Sequence, residues 1–346
     1  MTALSMERQS KEKELFERDD EDSPLPQGWL DTRNAEEEDF ASRLAGTTSR
    51  VAVWSGNHIW WALRNPLLLR LEAGMDERTA AETHHTFSWT AEERRELFTI
   101  LNSFRGQVAK NELEFVTFRY IRQRAGALLF TAFLHSVDAP FAEKELKATE
   151  EALLDGALDP RVVLGLIPAL RNEIIVTRKG IWIYGGVKGT VERYIASDRF
   201  DQVGQTVGAL SPAVINFLRR FLAAWRRNKG FGSVADESQV FRTVDAALLL
   251  VLLELDRETP EGMAGGARTG SVRAELYELV DKGVDCFDRA VDLLESYRRL
   301  FVLSRLYQSR KMAADVLATW KRIIEGEEDA GGELRDGEQR VRDYLS

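Results

Sequence analysis

A chain of 346 residues with 44% apolar and 30% charged side chains can bury a sizeable core and still present a solvated surface. Its formal charge of -9 is uneven: residues 1–40 hold 13 acidic and 5 basic side chains, a net of -8, which leaves the remainder close to -1. A nearly neutral body argues against a nucleic-acid binder. The single cysteine, Cys286, excludes an internal disulfide and any multi-cysteine metal site, and no apolar run approaches the roughly 20 residues of a bilayer span.

Residues 1–47 are rich in Glu, Asp, Lys and Arg, carry Pro24 and Pro26, and read as a flexible acidic arm. The start is charged from Glu7 onward and lacks the apolar stretch of a secretion signal. At residues 50–63 the character changes. Two β-branched and aromatic runs flank Ser55, Gly56 and Asn57, which predicts a β-hairpin with a short glycine-containing loop.

From Ser88 the apolar period becomes helical. Thr90 followed by Glu93 forms a capping-box pattern for a helix to about Asn102, and residues 112–135 form a longer one with Leu113, Val116, Tyr120, Ala127 and Phe130 among its apolar positions. Asp138 then Pro140, Asp159 then Pro160, and Ser211 then Pro212 each pair a capping side chain with a first-turn proline. A second hairpin is predicted at residues 174–184, turning at Lys179 and Gly180 and ended by Gly185 and Gly186.

Residues 240–256, VFRTVDAALLLVLLELD, carry apolar residues around most of a helix, so this helix must be covered on nearly all sides. After a Gly-rich loop at 259–270, further helices are predicted at 272–279, 284–294, 298–307 and 312–324. Helix after helix with short turns predicts a mainly α fold, an irregular α-solenoid of helical hairpins with two small β-hairpins.

Little in the sequence carries chemistry. Of the four histidines, adjacent His84 and His85 cannot share one face of a regular element, and no Cys or His cluster completes a metal site. Cys286 sits beside Asp285 and Asp288, whose charge opposes thiolate formation. Residues 185–190, GGVKGT, lack the order of a phosphate-binding loop. No catalytic residue, cofactor site or small-molecule substrate is therefore assigned.

Arginines offer a candidate partner-binding face instead. Arg219 with Arg226, and Arg220 with Arg227, repeat at seven residues on the helix that opens at Pro212, while Arg298, Arg299 and Arg305 decorate a later helical pair. They define either an ordinary solvated face or a docking surface for an acidic partner or an anionic membrane.

Several stretches resemble one family. The VDAALL core of residues 240–255 resembles the opening helix of the domain named after vacuolar sorting protein thirty-nine and the TGF-beta-receptor-associated protein. Residues 297–326, with Tyr297, Leu303, Tyr307, Ala314, Trp320 and Gly326, are similar to that domain's next two helices and lean to the TGF-beta-receptor-associated branch, which includes the fungal vacuolar sorting protein three. Residues 159–187 and 115–134 look like the preceding solenoid, and residues 51–75 like the end of a citron-homology propeller. Ala246, Ala247 and Leu250 depart from the family pattern.

After the acidic arm at 1–47, the resemblance implies a propeller-end hairpin at 48–75, a first solenoid segment at 88–235, and the named domain at 238–346, as a middle piece of such a protein. It further implies a non-enzymatic subunit of a CORVET or HOPS tethering complex, peripheral on endosomal or vacuolar membranes, with class C core subunits and Rab GTPases as partners. The alternative from the residues alone is a peptide-binding helical-repeat adaptor, whose groove would be lined with aromatic or Asn and Arg side chains.

Overall fold

The computed structural model describes residues 52–55, 58–61, 91–136, 140–177, 180–228, 236–258 and 271–333. The arm, Thr90, Asp138, the turn at Lys179, the Gly-rich loop and the last residues lie outside them. Two short strands, β1 (Ala52–Ser55) and β2 (His58–Trp61), pair antiparallel, with Ala52 opposite Trp61 and Ser55 opposite His58. Every other regular element among the described residues is helical, and the chain divides into two compact units, residues 1–168 with 176–203 and residues 169–175 with 204–346.

In the first unit α1 (Ala91–Ser103), α2 (Glu112–Leu134) and α3 (Glu143–Asp155) pack on one another, and the short α4 (Pro160–Gly165) follows. Caps explain most of these starts. Asn111 accepts from the Glu114 amide at the head of α2, and Asp159 accepts from the Arg161 amide ahead of Pro160. Asp159 also pairs with the wholly buried Arg161 at 2.8 Å. The helix expected at Pro140 begins instead at Glu143, because Ala142 and Glu145 make the capping contact: the Ala142 amide donates to Glu145 Oε2 at 2.7 Å.

The second predicted hairpin does not form. The described parts of 174–184 contain no strand, and the Ile175 amide donates to the Thr243 hydroxyl at 2.9 Å where a hairpin would need a strand partner. Gly185 and Gly186 open a helix, α5 (Gly185–Ile195), that packs on α2. A side chain at Gly186 would overlap the Tyr120 hydroxyl, so glycine is what lets the two helices approach.

The second unit contains α6 (Pro212–Arg227), α7 (Glu237–Glu258), α8 (Val272–Asp281), α9 (Phe287–Ser296), α10 (Leu300–Ser309) and α11 (Ala313–Ile324). Two stretches of tighter helix, Pro168–Glu173 and Val207–Ala209, lie earlier in the chain, and the second packs on α7. Packing runs between near sequence neighbours: α6 on α7, α7 on α8 and α9, α10 on α8 and α9, and α11 on α10. Nearest-neighbour packing of this kind is how an irregular α-solenoid builds its core.

Helix α7 is the centre of this unit. From Val240 to Leu253 only Arg242 is exposed, so the expected all-round burial holds. Successive ends are also built alike. The amides of Arg299, Met312 and Glu327 reach back to the carbonyls of Leu294, Tyr307 and Arg322, each bridging a left-handed residue: Arg298 (φ 50), Lys311 (φ 60) and Gly326 (φ 97). Such a repeated stop turns the chain sharply after each short helix.

Candidate functional site

The seven arginines of the predicted basic face divide into two groups. Arg219 turns from α6 toward α8 and grips Glu275 through both ends of its fork, at 2.7 and 2.5 Å. Arg226, two turns later on the same side, donates to Asp245 of α7 at 2.8 Å and to the Gly283 carbonyl at 2.5 Å. Arg305 pairs with Asp281 and lies 4.7 Å over the Tyr277 ring. Arg299 is 4% exposed and bonded to Asp256 and Glu333, so it is an internal strut and no part of a solvent face. The outward group is Arg220 and Arg227, on the solvent side of α6, and Arg298, whose side chain reaches Glu328 at 3.2 Å.

Two of the inward arginines, Arg226 and Arg299, answer buried acids of α7, whose apolar appearance hides three such acids. Asp245, Glu254 and Asp256 are each at most 6% exposed, and each is met by a guanidinium: Arg226, Arg257, and Arg273 with Arg299, respectively. Burial lifts the Asp245 carboxyl, opposed by the Asp285 amide at 2.7 Å and by Arg226. Around Asp256 the pairing widens into a network. Glu333 accepts from Arg299 at 2.5 Å and from the Tyr277 hydroxyl at 2.8 Å, and Asp329 accepts from the Phe301 amide at 3.2 Å. The segment after α11 thus straps across the starts of α8 and α10, where helix dipoles favour its carboxylates.

A cavity of about 650 Å³ opens in the same unit between the turn at Val207–Ala209, the segment at Ala169–Glu173, and helices α7 and α9. Leu250 and Val207 line it together with Glu173, Glu254, Arg257, Arg289 and Tyr297. Arg289 holds the buried Glu173 through both ends of its fork, with Nε 2.8 Å from Oε2. Burial raises the Tyr297 hydroxyl to about 12, aided by Glu254.

Reactive chemistry has little footing. Burial pushes the Cys286 thiol up to about 12, with Asp245 adding to the shift, so no thiolate forms near neutral pH. In the first unit, burial and then Arg199 bring His135 down to about 4, and its Nε2 shares a hydrogen bond of 2.8 Å with the Tyr194 hydroxyl. Among the described residues no group of three His, Cys, Asp or Glu side chains is placed to hold a metal, and no helix is long and apolar enough to cross a membrane.

The cavity and the buried acids went unpredicted. Their signal was acids at positions 245, 254 and 256 inside an otherwise apolar helix, each of which requires a cation once buried.

No family model matches the chain, and no solved structure matches it. It is similar to the vacuolar protein sorting-associated protein 3 of Schizosaccharomyces pombe, with 25% identity over 237 residues. The alignment takes in 63% of this chain and 24% of that protein, so the chain spans about a quarter of the length of the relative it matches.

Proposed function

We propose that this chain is a non-enzymatic scaffold segment of the membrane-tethering machinery of vacuolar protein sorting, of the CORVET or HOPS type. The observation that carries the reading is the likeness to the fission-yeast vacuolar sorting protein over 237 residues, in a chain built of helical hairpins. Stacked hairpins hold binding ends at a fixed separation, and that geometric role needs no reactive site.

On this reading residues 238–346 form the domain shared with vacuolar sorting protein thirty-nine and the TGF-beta-receptor-associated protein. The partners are class C core subunits and Rab GTPases, engaged through the outward arginines Arg220, Arg227 and Arg298, and the complex sits on the cytoplasmic face of endosomal or vacuolar membranes. Arg219, Arg226, Arg299 and Arg305 then serve to hold the helices that present that face.

Size-exclusion chromatography with light scattering, on the chain alone and mixed with each class C core subunit and with endosomal or vacuolar Rab proteins in GTP and GDP forms, tests the assignment. A stable complex that weakens in an Arg220→Glu, Arg227→Glu variant supports it. Absence of any complex removes the partner site from this chain and leaves the peptide-binding adaptor as the better account.

A further inference from the structure

Helix α11 packs on α10, and Val316, Thr319 and Trp320 on its inner side are buried. Its opposite side stands in solvent. There Ala313, Ala314, Leu317, Ala318, Lys321 and Ile324 recur at helical spacing, all exposed, and five of the six are apolar. Leu317 is 37% and Ile324 45% exposed, and among the described residues only Val108, Phe115 and Trp182 join them as large apolar side chains open to water. One exposed leucine would need no explanation, but two of the five lie seven residues apart on one face of one helix.

The charges at the two ends of this face identify what fits it. Lys311, just ahead of the helix, is exposed and meets no acid among the described residues. Glu325, just behind the helix, pairs with Lys321 at 3.5 Å, and both side chains are largely exposed. Such a pair is worth little and yields readily. Lys311, Ala318 and Glu325 are spaced by seven, so they lie on one stripe with the small side chain in the middle. A second α11 laid antiparallel, about a two-fold axis at Ala318, therefore sets each Lys311 against the other copy's Glu325 and makes the same contact twice. A parallel arrangement would set lysine on lysine and glutamate on glutamate. Ala314 and Ala318 let the two helices approach closely where they cross, with Leu317 beside them.

We infer that this face of α11 is where two copies of the chain associate, antiparallel and two-fold symmetric, with Ala314, Leu317 and Ala318 at the crossing and Lys311 on Glu325 at each end. A helix of 12 residues is about 18 Å long. The contact is therefore small, and the association is weak and depends on concentration. It is independent of the tethering assignment, since one helix of one unit carries it.

Sedimentation velocity on the full chain, from about 1 to 200 µM, provides the test. The weight-average mass is expected to rise from one chain towards two, and to rise less in high salt. Leu317→Glu, at an exposed position, should weaken the association about tenfold or more and leave the melting temperature of the dilute chain unchanged. Exchange of charge gives the sharper readout. Lys311→Glu and Glu325→Lys should each remain monomeric, because each variant sets like charges together at both ends. A mixture of the two should associate one to one, because every end contact is then opposite in sign. The inference is overturned if the parent remains monomeric up to about 200 µM, if Leu317→Glu associates like the parent, or if the mixture associates no better than its components. Assembly beyond two copies would overturn it too. So would flotation with neutral phospholipid vesicles in place of self-association, lost in Leu317→Glu, which would assign the face to a membrane.

Discussion

Arg226 Nε lies 2.8 Å from Asp245 Oδ1, and the other oxygen of that carboxylate accepts the Asp285 amide at 2.7 Å. One arginine thus ties α6 to α7 and, through the Gly283 carbonyl, to the turn after α8. Asp245 is 2% exposed, so deleting its cation leaves a charge stranded in the core. Arg226→Gln should cost about 3 kcal/mol in urea unfolding followed by tryptophan fluorescence. Arg227→Gln, one residue along on the solvent side, should stay within about 0.5 kcal/mol of the parent. Equal effects of the two changes would show that the pair does not lock the helices.

Leu252 is 1% exposed at the middle of α7. No cationic side chain pairs with that position among the described residues, in contrast to Asp245, Glu254 and Asp256 on the same helix. Leu252→Asp should therefore cost at least about 3 kcal/mol. Thermal melting close to that of the parent would mean that α7 is open to water and that the second unit has no central helix.

These arginines show how far the sequence could be read. Helix starts were legible at Asp159 and Ser211 because a cap and its proline are neighbours in the chain, and the burial of α7 was legible because it follows from the helix's own apolar residues. The role of each arginine was not, since its acid lies far away: 19 residues for Arg226, 56 for Arg219 and 43 for Arg299. The alternation in residues 174–184 misled for a related reason. Burial there follows no two-residue period, with Gly180, Ile181 and Tyr184 buried and Trp182 exposed, and the Ile175 amide is taken by Thr243, 68 residues on. The cavity was invisible because its wall is assembled from four separate stretches.

Gly186 stands inside α5 rather than ending a hairpin, which gives a test of opposite sign. By helix propensity alone Gly186→Ala should stabilise by about 0.5–1 kcal/mol. Contact with Tyr120, whose hydroxyl also takes a 2.7 Å bond from Arg124, should turn this into a loss of about 1–3 kcal/mol. In a Tyr120→Phe background the loss should shrink, because the hydroxyl is the first atom that an added methyl meets. A gain in stability in the parent background would show that α2 and α5 do not approach this closely.

The strap after α11 should make stability depend on pH through Asp329. Burial raises this carboxyl from 3.8 to about 6, reinforced by Glu333 and opposed by the Phe301 amide and Arg299. An acid whose folded value is raised stabilises most when protonated. Its contribution is complete below about pH 4 and drains away as pH rises through about 6. Glu333 runs the other way: burial would raise it, but Arg299, Asp329, Tyr277 and Arg273 together hold it below its usual value, so its contribution is lost only as pH falls through the acidic range. Asp329→Asn keeps an oxygen for the Phe301 amide and has no proton to lose. The variant should therefore gain on the parent between pH 4 and pH 7 in paired urea titrations, with the difference levelling off above the midpoint near 6. A difference that stays flat from pH 4 to 7 would mean that Asp329 titrates as an ordinary surface acid and that the strap is not closed over the Asp256, Arg299 and Glu333 network.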